Sequence, residues 1–139
     1  MDSRCRLYLP STDSKLPILV WFHGGGWVIG SVEDSDGVTR YLAEKSGYAV
    51  LSVDYRLSPE VKFPGPLNDC YGVTKWVYEN SDELNIDKTK ISVGGDSAGG
   101  NLASAVCLKA KDEGGSISWS CESIGAPDIT SYLPSSCKP

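Results

Sequence analysis

Apolar positions in this chain fall into two kinds of block, short runs of β-forming residues and longer stretches with apolar residues three and four apart. Arg4 to Leu9 alternates polar and apolar side chains and stops at Pro10, which predicts a strand with one wet face near a sheet edge. Leu16 to Phe22 is a continuous apolar run, which predicts a strand buried on both faces in a parallel sheet. It ends abruptly at His23-Gly24-Gly25-Gly26. Tyr48 to Asp54 reads as the next strand, and Ile91 to Val93 as a short one fed by a polar turn, Asp87-Lys88-Thr89-Lys90.

The stretches between are helical. Asp36 is placed to cap a helix through roughly Val38 to Ser46, with Val38, Tyr41 and Leu42 on one face and Gly47 closing it. After a loop marked by Pro59, Pro64 and Pro66, the residues Leu67, Cys70, Tyr71, Val73, Thr74 and Val77 give a helical stripe ending near Asn80. From Ala98 to about Lys111 the composition is helix-forming, with Leu102, Val106 and Ala110 recurring on one face, and Asp112-Glu113-Gly114-Gly115 terminates it. Strands alternating with helices across short Gly- and Pro-marked loops predict a doubly wound α/β sheet with parallel strands. In Ser116 to Pro139, rich in Ser, Pro and Cys, at most one weak strand is legible.

Composition narrows the classes. With 139 residues and 40% hydrophobic content, the chain suits a single domain with one core, spanning 1–139. A net charge of −5 offers no electrostatic footprint for nucleic acid or an anionic membrane surface, and no apolar run reaches spanning length. Met1-Asp2-Ser3-Arg4-Cys5 lacks a leader pattern, so a cytoplasmic setting is expected. Five cysteines (Cys5, Cys70, Cys107, Cys121, Cys137) without a C-x-x-C pair read as free thiols, the rival being a bridge between Cys121 and Cys137 in an oxidising compartment. One histidine leaves too little for a zinc site, and no metal or other cofactor is expected.

The chemistry lies in two glycine-rich turns. Gly95-Asp96-Ser97-Ala98-Gly99 is a G-x-S-x-G following a strand and opening a helix. A serine on so sharp a turn takes strained backbone angles, and the flanking glycines keep side chains from colliding with neighbouring segments. The helix starting at Ala98 directs free N–H groups and its positive dipole end at the serine, which makes the Ala98 N–H a candidate oxyanion donor. His23-Gly24-Gly25-Gly26-Trp27 ends a buried strand well upstream, where three glycines let backbone N–H groups turn into a site. Beside those glycines His23 reads as a loop-shaping residue, with a general-base role as the rival. Asp54-Tyr55-Arg56 and the following Leu57-Ser58-Pro59-Glu60 read as a structural ion-pair network bracing that loop, with an isolated surface loop as the rival. A serine nucleophile also needs a base and an acid to orient it, in the order Ser, Asp or Glu, His. No histidine follows Ser97, and Asp128 reads as a loop aspartate.

These residues resemble the hormone-sensitive-lipase family of α/β-hydrolases, which includes carboxylesterases and arylacetamide deacetylases. His23-Gly24-Gly25-Gly26-Trp27 with Gly30-Ser31 resembles the family's oxyanion loop, Asp54 to Glu60 its Y-R-x-x-P-E stretch, and Gly95 to Asn101 its nucleophile elbow; Phe63-Pro64 and Asp69 also fit. The resemblance runs from about Arg4 to Lys111. It implies an α/β-hydrolase fold, a mostly parallel sheet with helices on both faces, and acyl transfer from a small-molecule ester through Ser97. It also implies an oxyanion hole of the Gly25, Gly26 and Ala98 N–H groups, with His23 and Gly24 in the loop motif. The family's cap segment and later strands, with the triad acid and histidine, have no counterpart here, so a truncated form with little or no activity is expected. Self-association through an exposed sheet edge is expected to follow. The alternatives are an arylformamidase-type amide hydrolase, whose loop His23-Gly24-Gly25-x-Trp27 also fits, and a non-catalytic binding protein on the same scaffold.

Overall fold

In the computed structural model, which describes residues 3–114, strands and helices alternate along the chain. They are β1 (Arg4–Tyr8), β2 (Leu16–Phe22), α1 (Asp36–Ser46), β3 (Ala49–Asp54), α2 (Gly65–Glu79), β4 (Ile86–Gly95) and α3 (Ala98–Asp112). The weak strand expected after Ser116, the Cys121–Cys137 alternative and Asp128 lie outside the described residues. Cys5, Cys70 and Cys107 are free thiols. No helix among the described residues is long and apolar enough to cross a membrane.

The four strands form one sheet in the order β1-β3-β2-β4. β2 runs parallel to both β3 and β4, and β1 joins antiparallel to β3 at one edge. The expectation of one wet face on β1 is corrected: burial rises from exposed Arg4 and Cys5 through half-buried Arg6 and Leu7 to buried Tyr8, because Leu7 packs into one core cluster and Tyr8 into the other. Helices cover both faces. On one, α2 and α3 bring Cys70, Val73, Val77, Leu102, Ala103 and Val106 against Ile18, Val20, Phe22, Leu51 and Val53. Ile18, Val20 and Phe22 are fully buried there, and such side chains each contribute about 1.5–3 kcal/mol.

The opposite face is thinner. There α1 alone sets Ala43 and Leu42 against Tyr8, Val50, Leu19 and Trp21. This corrects the expectation that β2 is buried on both faces, because Pro17, Leu19 and Trp21 are only half-buried where a single helix covers them. The face of α1 is also corrected. Val38 and Tyr41 are exposed, and Thr39 and Ala43 are the buried pair, with Leu42 packed beside Ala43 against the sheet. Asp36 is the first residue of α1 and makes no side-chain cap bond. Its carboxylate instead receives Tyr8 Oη (2.7 Å), Arg6 (3.0 Å) and Arg40, tying α1 to β1. Gly47 ends α1 in the left-handed region (φ 71°), its N–H reaching the Ala43 carbonyl.

A further correction concerns β4. Asp87 to Lys90 belongs to the strand as a bulge, because Leu16 pairs with Ile86 while Ile18 already pairs with Ile91. The Asp87 carboxylate fills the bulge by accepting from both the N–H and the hydroxyl of Thr89. β4 bonds to β2 on one side, and among the described residues its other side has no strand partner.

Candidate active site

All three parallel strands point their carboxyl ends at one rim of the sheet, where ligands of open α/β sheets bind. Phe22 pairs with Val53 and with Gly95, so the residues following β2, β3 and β4 emerge side by side. They are the His23 loop, Tyr55-Arg56 and the Asp96-Ser97 turn.

Only Asp96 and Ser97 separate β4 from α3. The reversal forces Ser97 to φ 50°, ψ −117°, a region that L-residues rarely adopt, at a cost of about 1–3 kcal/mol. Ser97 is exposed and Ala98 behind it is buried. A Cβ on Gly99 would overlap the Phe22 carbonyl oxygen and lie 2.7 Å from that of His23. One on Gly95 would overlap the same Phe22 oxygen and meet the Gly99 carbonyl carbon at 2.6 Å. The serine turn therefore rests directly on the end of β2, where the glycine loop begins.

That loop is shaped by positive φ at Gly25 (115°), Gly26 (61°), Trp27 (63°) and Gly30 (105°). The Gly25 carbonyl accepts the N–H groups of Val28 (3.1 Å) and Ile29 (3.0 Å), closing a tight turn. Among the described residues, no protein acceptor takes the N–H groups of Gly25, Gly26 or Ala98. Ala98 is the first residue of α3, so its N–H adds to the helix's positive end. The Gly24 N–H is the exception in the loop and donates to Asp96 Oδ1 at 3.0 Å.

His23 is buried within this loop rather than turned to the serine. Its Nδ1 meets the Gly24 carbonyl at 2.7 Å, and its Nε2 is buried without a partner, so neither ring nitrogen is bonded to Ser97. The imidazole stacks on Tyr55 at 4.2 Å between centroids and 12° between planes. The Tyr55 hydroxyl donates to the His23 carbonyl at 2.7 Å. Burial, then the nearby Cys70 and Asp96, push the Tyr55 hydroxyl well above its ordinary range, so it stays a donor.

The brace differs from the ion-pair network expected over Asp54 to Glu60. Asp54 accepts the Val32 N–H (3.2 Å), Tyr55 holds His23, and the Ser58 N–H reaches the Trp27 carbonyl (2.8 Å). Among the described residues, Arg56 alone of this stretch forms an ion pair, with Asp69 of α2, which is 1% exposed; the carboxylate also accepts the Arg56 backbone N–H. Hydrogen bonds and a ring stack do most of the bracing because Tyr55 and His23 leave adjacent parallel strands and meet out of water. Sequence reading missed the Tyr55–His23 stack and the Asp96–Gly24 bond. Strand-end adjacency, once the order of strands is known, is the signal that finds them.

Comparisons place this geometry among known proteins. A family profile described as the alpha/beta hydrolase fold matches residues 19–127. An arylesterase of Saccharolobus solfataricus is 45% identical over 107 residues, covering 77% of this chain and 35% of the relative. Carboxylesterase NlhH of Mycobacterium tuberculosis is 42% identical, covering 82% and 36%. Among solved structures, a Pyrobaculum calidifontis esterase superposes with a TM-score of 0.81 at 53% identity, covering 82% of this chain and 37% of that one. The chain thus spans about a third of the length of the curated relatives it matches. With the family profile covering most of its length and the serine turn seated on the glycine loop, the chain belongs to the α/β-hydrolase-fold family, in its hormone-sensitive-lipase branch of carboxylesterases.

Proposed function

We propose that this chain carries the nucleophile and oxyanion-stabilising part of a carboxylic ester hydrolase. The observation that carries the reading is the contact between the two turns. Ser97, strained between glycines, rests on the end of β2, and in the loop leaving β2 the Gly25 and Gly26 N–H groups have no protein acceptor among the described residues. In this reading Ser97 Oγ attacks the ester carbonyl, and the N–H groups of Gly25, Gly26 and Ala98 hold the tetrahedral oxyanion. One such donor is worth about 2.7–4 kcal/mol in the transition state. The alcohol leaves with a proton, and water releases the acid from the acyl-serine. The substrate is a small-molecule ester, consistent with the names of the esterase relatives.

The Ser97 proton needs an acceptor. The one histidine of the sequence is His23, whose ring is committed to the loop and to Tyr55. These 139 residues alone therefore turn over little or no ester. Hydrolysis of p-nitrophenyl acetate by the chain is expected to match that by Ser97→Ala; a burst or turnover lost in the variant would overturn the inactive reading. The side of β4 that has no strand partner among the described residues is further expected to make the chain self-associate. Elution as a monomer at every concentration in size-exclusion chromatography would contradict that.

A further inference from the structure

The serine turn and the glycine loop touch through packing and through one hydrogen bond with no assigned role. We propose that Asp96 is a positioning residue, whose carboxylate fixes the oxyanion loop to the nucleophile turn through the Gly24 N–H. The inference deepens the ester-hydrolase reading and rests on it.

Asp96 acts at both ends of the junction. Its backbone carbonyl accepts the Gly99 N–H at 2.8 Å, closing the first turn of α3, while its Oδ1 accepts the Gly24 N–H at 3.0 Å from a strand end 72 residues away in sequence. The fit is close, because a Cβ on Gly24 would overlap Asp96 Oδ2 and meet both the carboxyl carbon and the backbone oxygen of Asp96 at 3.1 Å. Beyond Gly24, three consecutive residues take positive φ, and the bonds that fold them run from the Gly25 carbonyl within the loop. Among the described residues, Asp96 is the sole acceptor from the N–H groups of Gly24, Gly25 and Gly26. A carboxylate suits the task, since it is acceptor-only and its bond to an N–H is charge-assisted. An amide at this position is weaker and has two orientations.

The test reads amide protons by NMR in the 139-residue chain. The Gly24 amide resonance is expected to move between acidic and neutral pH in the chain, and to lose that movement in Asp96→Asn. The Tyr55 hydroxyl at this junction is raised by burial first and then by Cys70 and Asp96, so it stays protonated from acidic to neutral pH, and the His23 ring stacks on it. Both persist in Asp96→Asn, so the difference between the two profiles isolates Asp96. In Asp96→Ala, water exchange of the Gly24 amide is expected to rise about tenfold or more, as befits loss of a bond to a charged group. The core amides of Ile18, Val20 and Val50 should stay protected. Identical pH profiles for the chain and Asp96→Asn would overturn the proposal, as would unchanged Gly24 exchange in a folded Asp96→Ala. If Asp96→Ala does not fold, the comparison with Asp96→Asn decides alone. Neither readout needs turnover, so failure here leaves Ser97 reactivity open, and an inert Ser97 leaves the Asp96 bond standing.

Discussion

Replacing Ser97 by glycine should stabilise the fold while removing the hydroxyl proposed as nucleophile. At φ 50°, ψ −117° the serine Cβ is crowded by its own backbone, which costs about 1–3 kcal/mol. Glycine relieves that crowding but loses roughly 0.5–1 kcal/mol more backbone entropy on folding, leaving a net gain of about 1 kcal/mol. Ser97→Ala is the right reference, because it also lacks the hydroxyl yet keeps Cβ and the strain. Urea unfolding followed by tryptophan fluorescence, at low micromolar chain to limit pairing of the β4 edge, reads the difference. With a slope of roughly 2 kcal/mol per molar urea, Ser97→Gly should unfold at a midpoint about 0.5 M above Ser97→Ala. A glycine midpoint at or below that of alanine would refute the claim that strain is stored at the serine.

Other perturbations test the frame around it. Tyr55→Phe keeps the ring stack but leaves the buried His23 carbonyl without its donor, and should cost about 1–3 kcal/mol in the same assay; an unchanged midpoint would remove Tyr55 as a brace. Gly99→Ala drives a Cβ into backbone oxygens that no rotamer change can move, and should cost about 3 kcal/mol or more. Gly37→Ala, in open space on α1, should instead be neutral or stabilising by up to about 1 kcal/mol; equal effects at the two sites would contradict the packing described. Asp36 is held below the ordinary carboxylate range by hydrogen bonds from Tyr8 first and Arg40 next. Its folded pKa lies under the unfolded value near ~3.9, so its stabilisation is complete above that pH and lost as pH falls through the folded value. The urea midpoint should therefore drop on acidification below about pH 4, and less steeply in Asp36→Asn than in the parent chain; parallel profiles would refute it.

Much of this arrangement is legible in the chain itself. The apolar run of β2, the glycine closing α1 and the G-x-S-x-G between a strand and a helix each reflect local backbone requirements, and local requirements leave local patterns. What escaped was set by packing between distant segments. The inward face of α1 is Thr39 and Ala43, with Leu42 packed beside them, rather than Val38 and Tyr41. Asp87 to Lys90 reads as a turn on composition, yet pairing with β2 resumes on both sides of it and makes it a bulge. Tyr55 and Asp96 meet the glycine loop only because β3 and β4 flank β2, a strand order that hydrophobic periodicity does not encode.

We propose Ser97 as a nucleophile beside the N–H groups of Gly25, Gly26 and Ala98 that still needs a proton acceptor, since the ring of His23, the one histidine of the sequence, is not bonded to it. Free imidazole supplies one. Mass spectrometry of the chain after exposure to p-nitrophenyl acetate, with and without imidazole, should find acetyl on Ser97 only when imidazole is present and none at that position in Ser97→Ala. No acetyl-Ser97 under either condition in a folded chain, or equal acetylation with and without imidazole, would contradict it.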